Sequence, residues 1–119
     1  MGRVYDPNDD SWRPIERRGA VQVTSHVLLP VERGGRTRLS LTRIAAGGTF
    51  GPHVDDYEHV FVVLRGAGEV MVAKERRSVA PGDVITTSVG EPHGLWATPE
   101  DELVLVSSNI YPADEPGDG

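Results

Sequence analysis

The sequence contains no cysteine, so disulfides and thiolate metal ligands are both excluded. It also lacks a long apolar run. The longest, Val60 to Leu64, falls far short of the roughly 20 residues needed to span a membrane as a helix. Basic charge is scarce as well: 12 Lys and Arg stand against 18 Asp and Glu, giving a formal charge of −6. A chain of that sign lacks the basic face that neutralising phosphates requires, which argues against a nucleic-acid partner. Its short basic clusters are Arg13 with Arg17 and Arg18, Arg33 with Arg36 and Arg38, and Lys74 with Arg76 and Arg77. Acids or apolar residues interrupt each of them, and they read as solvated faces. The opening stretch MGRVYDPNDDSWRPIERRG is polar and has no signal-peptide core, and Asp6 breaks the myristoylation pattern. A soluble, cytoplasmic protein without a membrane partner is expected.

What the chain has in quantity is turn formers. Glycine and proline make 14 and 9 of the 119 residues, above the usual share of roughly 12%, which suits short strands and tight turns. The length allows one domain with a real core. Residues 1–19 read as an N-terminal arm that Trp12 and Ile15 can pin, 20–111 as the body, and 112–119 as a flexible acidic tail.

Within the body, Val21, Val23, Val27 and Leu29 alternate at period two, and Leu39 and Leu41 resume the alternation. Glu32 to Gly35 reads as the turn between these two strands, and Gly47-Gly48 as the end of the second. His59 to Arg65 and Glu69 to Lys74 read as a hairpin joined through Gly66-Ala67-Gly68. Further strands are expected at 77–80, 84–88, 93–98 and 102–109. Some eight short strands without a helical pattern predict an all-β sandwich or barrel.

His53, Asp55, His59 and His93 are the candidate metal ligands. Imidazole suits manganese, iron, nickel, copper and zinc, and one carboxylate adds hardness and a negative charge. His53 and Asp55 stand two apart, so in an extended segment they leave on one face. If His59 faces inward, Phe61 and Val63 follow it, and Glu58, Val60, Val62 and Leu64 turn away. That second apolar row calls for cover by a dimer partner or the arm. Asp56 and Glu58 are rival carboxylates, and Asp55 can alternatively act by accepting a hydrogen bond from a ligand imidazole. His26 reads as an ordinary hydrogen-bonded histidine, and Tyr57 is the best candidate for a substrate contact. Arg43 and Arg65 read as exposed, with pairing to a substrate carboxylate as the alternative, and Ser88 lies outside any nucleophile elbow.

These residues stand in two stretches, Gly47-x5-His53-x-Asp55-x3-His59-x6-Gly66 and Gly82-x5-Ser88-x-Gly90-x2-His93. The pattern resembles the two motifs of the cupin family, G-x5-H-x-H-x3/4-E-x6-G and G-x5-P-x-G-x2-H-x3-N. Asp55 replaces the second histidine, His59 stands where glutamate is usual, and Ser88 and Ala97 replace the proline and asparagine. The Glu58-His59 pair also looks like small manganese cupins that use four histidines, with Asp55 exchanged for one.

The resemblance implies a double-stranded β-helix, or jelly-roll barrel, holding one divalent transition metal per chain. Manganese or iron is the first expectation, with nickel or zinc as alternatives, and a homodimer is expected. The leading functional expectation is an oxidoreductase that brings a small organic substrate together with dioxygen or a peroxide. A redox-neutral isomerase, decarboxylase or lyase is the second reading, and a non-catalytic binding or sensing module the third.

Overall fold

The structure, a computed structural model, describes residues 12–30 and 35–112. The expected turn at Glu32–Gly34, most of the arm and nearly all of the tail therefore lie outside the described residues. Among the described residues every regular element is a β-strand: β1 (Arg13–Pro14), β2 (Ala20–Leu29), β3 (Thr37–His53), β4 (Glu58–Gly66), β5 (Gly68–Val72), β6 (Glu75–Val79), β7 (Val84–Thr87), β8 (His93–Ala97) and β9 (Leu103–Ile110). No helix is long and apolar enough to cross a membrane.

The strands form one curled antiparallel sheet in the order β6-β5-β8-β3-β9-β4-β7, with β2 also paired to β3 and β1 to β2. The expected all-β jelly roll is the observed architecture. Its pivot is β3, which runs for 17 residues. The first part of β3, Thr37 to Ile44, pairs with β9, and Thr49 to His53 pairs with β8. The glycine pair at 47–48 therefore bends this strand instead of ending it. Gly47 takes a positive φ of 76° and donates its amide to the Thr98 carbonyl at 2.8 Å, so the ladder hands over from one partner to the next.

The Gly66-Ala67-Gly68 segment corrects a second expectation. β4 pairs with β7 and β9, while β5 pairs with β6 and β8, so the two strands joined here are not a hairpin. The chain crosses between the two halves of the barrel. The hairpin is instead β5–β6, turning through Ala73-Lys74 with Ala73 at φ 55°. A two-residue turn without glycine leaves little local trace.

Strand parity sets the core. On β4, His59, Phe61 and Val63 are buried, Val60 and Val62 half-buried, and Leu64 is 49% exposed. Inward residues of both halves meet as Val23, Ile44, Phe50, Phe61, Val63, Val70, Val79, Ile85, Leu95, Leu103 and Leu105. Ile44, Leu103 and Leu105 are wholly excluded from water, and each such side chain contributes about 1.5–3 kcal/mol by burial. The apolar core stops part way along β3, where Ser40 and Thr42 occupy buried positions and Leu39 and Leu41 lie on the opposite face. That inversion puts hydroxyls on the wall of a cavity inside the barrel.

Candidate functional site

The cavity encloses about 590 Å³ and is lined among others by Phe50, His53, Asp55, Tyr57, His59 and Phe61. At its wall the end of β3 meets the start of β8, with His53 opposite His93 in the ladder. Asp55 follows two residues on, held in place where its carbonyl accepts the Gly90 amide at 2.8 Å. Asp56 and Glu58 are exposed while Asp55 is buried, so the rival carboxylates point away.

Three imidazole Nε2 atoms converge on one carboxylate oxygen. Asp55 Oδ2 lies 2.8 Å from His59, 3.4 Å from His53 and 3.4 Å from His93. His53, Asp55 and His93 have ligand atoms within 4.8 Å of one another and can hold a metal ion. His59 falls outside that tight group and reaches Asp55 by its hydrogen bond.

Hydrogen bonding explains why this set suits a cation. The Nδ1 of His53 lies 2.8 Å from the Gly51 carbonyl, and that of His93 lies 2.9 Å from the Glu91 carbonyl. A carbonyl only accepts, so each Nδ1 carries the proton, and in the neutral ring Nε2 is a bare lone pair. Both lone pairs face a carboxylate oxygen that also only accepts, and His93 Nε2 is buried without a hydrogen-bond partner. A cation among these atoms would turn mutual repulsion into ligation. Burial pushes the His53 and His59 pKa values below the usual imidazole range, partly offset for His53 by its Gly51 hydrogen bond and for His59 by its Asp55 hydrogen bond. Both rings are therefore neutral near pH 7, as metal ligation requires.

His59 is poised differently. Its Nε2–H donates to Asp55, and its Nδ1 is buried without a hydrogen-bond partner. To offer Nε2 as a ligand the proton must move to Nδ1, on a ring that stands opposite Asn109 in the β4–β9 ladder. Aromatic rings hold two of the imidazole planes: Phe50 stacks on His53 with centroids at 4.3 Å, and Phe61 on His59 at 4.9 Å. Inward parity of His59 and outward parity of Glu58 lead to a prediction. His59→Ala should weaken divalent-metal affinity by at least about tenfold, and Glu58→Ala should leave it unchanged, as measured by chelator competition. The reverse ranking would overturn the register.

Sequence reasoning missed Arg17. Its guanidinium, though still partly in solvent, lies 3.0 Å from Asp55 Oδ1 and 5.6 Å from the Phe50 ring centre. The turn that ends at Gly19, whose carbonyl accepts the Gly51 amide at 2.9 Å, brings it there. Burial alone would raise the Asp55 pKa, but hydrogen bonds from His59 and Arg17 and the Arg17 charge outweigh that and hold it below the usual carboxylate range. Arg13 from the same cluster and Arg38 from the second, both read as surface, also line the cavity, as do His26, Ser40, Thr42 and Ser107. Arg43 and Arg65 turn elsewhere, both toward Glu102, at 3.5 and 2.9 Å. Tyr57 lines the cavity as expected, its ring 5.0 Å from His59.

Among curated proteins none matches the sequence. Solved structures do match, and they share the fold. The polyketide cyclase RemF from Streptomyces resistomycificus is 24% identical with a TM-score of 0.81, covering 92% of this chain and 80% of that one. A predicted oxalate decarboxylase from Thermotoga maritima is 22% identical with a TM-score of 0.81, covering 92% of this chain and all of that one. KdgF from a Halomonas species is 20% identical with a TM-score of 0.71, covering 96% and 98% of the two chains. The family model described as Cupin domain matches residues 40–109, more than half of the sequence and both histidine-bearing stretches. With the jelly-roll topology and the convergent imidazoles in place, that match makes the chain a member of the cupin family.

Proposed function

We propose that the protein is a metal-dependent enzyme that carries out redox-neutral proton transfer on a small, oxygen-rich organic substrate. The observation that carries this reading is the composition of one cavity. His53, Asp55 and His59 share its walls with Tyr57, Ser40, Thr42, Ser107 and Asn109, and His93 faces His53 and Asp55 from β8. A divalent metal held by His53, Asp55 and His93, with His59 as fourth ligand, would polarise a carbonyl or carboxyl oxygen and acidify the carbon beside it.

The chain's own groups supply the rest. Burial, reinforced by the Asp55 charge, pushes the Tyr57 pKa above its usual value. The phenol thus keeps its proton near neutrality and can donate it to a substrate oxygen. Arg17 keeps Asp55 ionised and fixes its orientation through Oδ1, leaving Oδ2 for the metal. Phe50, Phe61 and Leu95 form the apolar part of the wall and restrict water. The cyclase and the predicted decarboxylase that share this fold accord with such chemistry, although fold alone does not select it.

The oxidative reading has one observation of its own, the anionic Asp55 in the donor set, since a carboxylate favours the more oxidised metal. Manganese or iron would then be the resident ion. Deuterium exchange separates the two readings. Protein loaded with zinc or manganese is incubated in D2O under argon with 2-oxoglutarate as probe. Exchange beside the carbonyl is expected with either ion and should slow about 10²-fold or more in Tyr57→Phe. Turnover confined to manganese, and appearing only when air replaces argon, would replace this reading by the oxidative one. Binding of the probe without exchange or consumption would leave a sensing module.

A further inference from the structure

We infer that Arg38 forms a second anion subsite in the cavity, so that the substrate is an organic acid carrying a carboxylate at the end remote from the metal. This rests on the metal-centre reading above and specifies its substrate class. Arg38 lies on β3 opposite Asn109, and Asn109 lies opposite His59 on β4. The three residues therefore form one row across adjacent strands, which separates the Arg38 and His59 backbones by roughly 10 Å. Both ends of the row line the same cavity. One small molecule can span that separation.

The Arg38 side chain, on a half-buried residue, has no hydrogen-bond or ion-pair partner among the described residues. Arg17, by contrast, is paired with Asp55, Arg43 and Arg65 with Glu102, Arg76 with Glu69, and Arg77 with Glu75. Taking a guanidinium partly out of water without a counter-charge costs stability, and an anionic ligand removes that cost. The described residues lining the cavity include three arginines, Arg13, Arg17 and Arg38, against one carboxylate, Asp55. The lining thus holds two more arginines than carboxylates, in a chain whose net charge is −6. A single planar guanidinium matches the charge and the two oxygens of a carboxylate. Ser40, two residues along β3 and likewise lining the cavity, offers a hydroxyl beside it.

Calorimetry on zinc-loaded protein tests this with succinate, glutarate and adipate, each compared with its own monomethyl ester. At least one diacid should bind about tenfold more tightly than its ester. Arg38→Gln should abolish that gap while leaving ester binding intact, and Arg38→Lys should restore part of it. Equal affinity of diacid and ester at all three chain lengths in the unaltered protein would overturn the inference, and so would an equal loss for both ligands in Arg38→Gln. Chelator-stripped protein separates the two claims. Ester binding that needs zinc but shows no diacid gap retains the metal centre and removes the Arg38 subsite. A diacid gap that persists without any zinc dependence does the reverse.

Discussion

Replacing His93 by alanine is expected to abolish stoichiometric metal binding. Protein with its residues intact should take up about one divalent ion per chain, held by the cluster around Asp55. His93 is 2% exposed, and its Nδ1 is committed to the Glu91 carbonyl, so its Nε2 has no role in the metal-free fold. Removing the ring deletes a donor without breaking the ladder that carries it. The effect should be read as stability as well as metal content. Metal at a thousand times its dissociation constant stabilises the fold by about 4 kcal/mol, and that increment, measured against each protein's own metal-free form, should vanish in His93→Ala. His53→Ala should behave alike. Full metal retention in both variants, by elemental analysis, would remove the centre.

Gly66→Ala should be the most destabilising substitution of a single hydrogen by a methyl group. Gly66 has φ 92°, and a Cβ there would overlap the Glu102 carbonyl and press on Leu103. That carbonyl cannot retreat, because it accepts the Ala67 amide at 3.1 Å and leads into Leu103, which is 0% exposed. The cost should exceed about 4 kcal/mol, a large fraction of the 5–15 kcal/mol typical of a whole domain. Gly82 and Gly90 are the controls, with φ 95° and 75° but open space around the added carbon. Alanine at either should cost only about 1–2 kcal/mol. Urea unfolding that placed all three together would mean that the crossing at Gly66 is looser than described.

Gly66 also shows how much of the fold was legible. Its place at the end of an apolar strand marked a tight passage, but the same residues suit a hairpin and a crossing between barrel halves, because pairing partners are set by distant strands. Alternation along β4 placed His59, Phe61 and Val63 inward correctly, since each parity there is consistent. On β3 the same rule drew the eye to Leu39 and Leu41, whereas Ser40 and Thr42 hold the buried positions. A polar inward row inverts the usual pattern wherever a barrel encloses a cavity. The histidines and Asp55 stood out because their spacing is local. Arg17 and Arg38 did not, because only the closed barrel brings their segments to Asp55 and to the cavity wall, and charge clusters carry no mark of burial.

The carbonyls of Gly51 and Glu91, which orient His53 and His93, belong to the main chain and survive any change of side chain around them. In many metal centres this aligning role falls to a carboxylate or amide that a mutation can delete. Here the hydrogen bonds that orient two candidate ligands do not depend on the identity of any side chain on the cavity wall. Residues such as Arg38, Thr42, Phe61 and Ser107 can then be exchanged for new ligand preferences without disarming those two imidazoles. A library randomised at the wall alone would sample substrates around the proposed metal centre, which makes this small barrel a practical starting point for directed evolution.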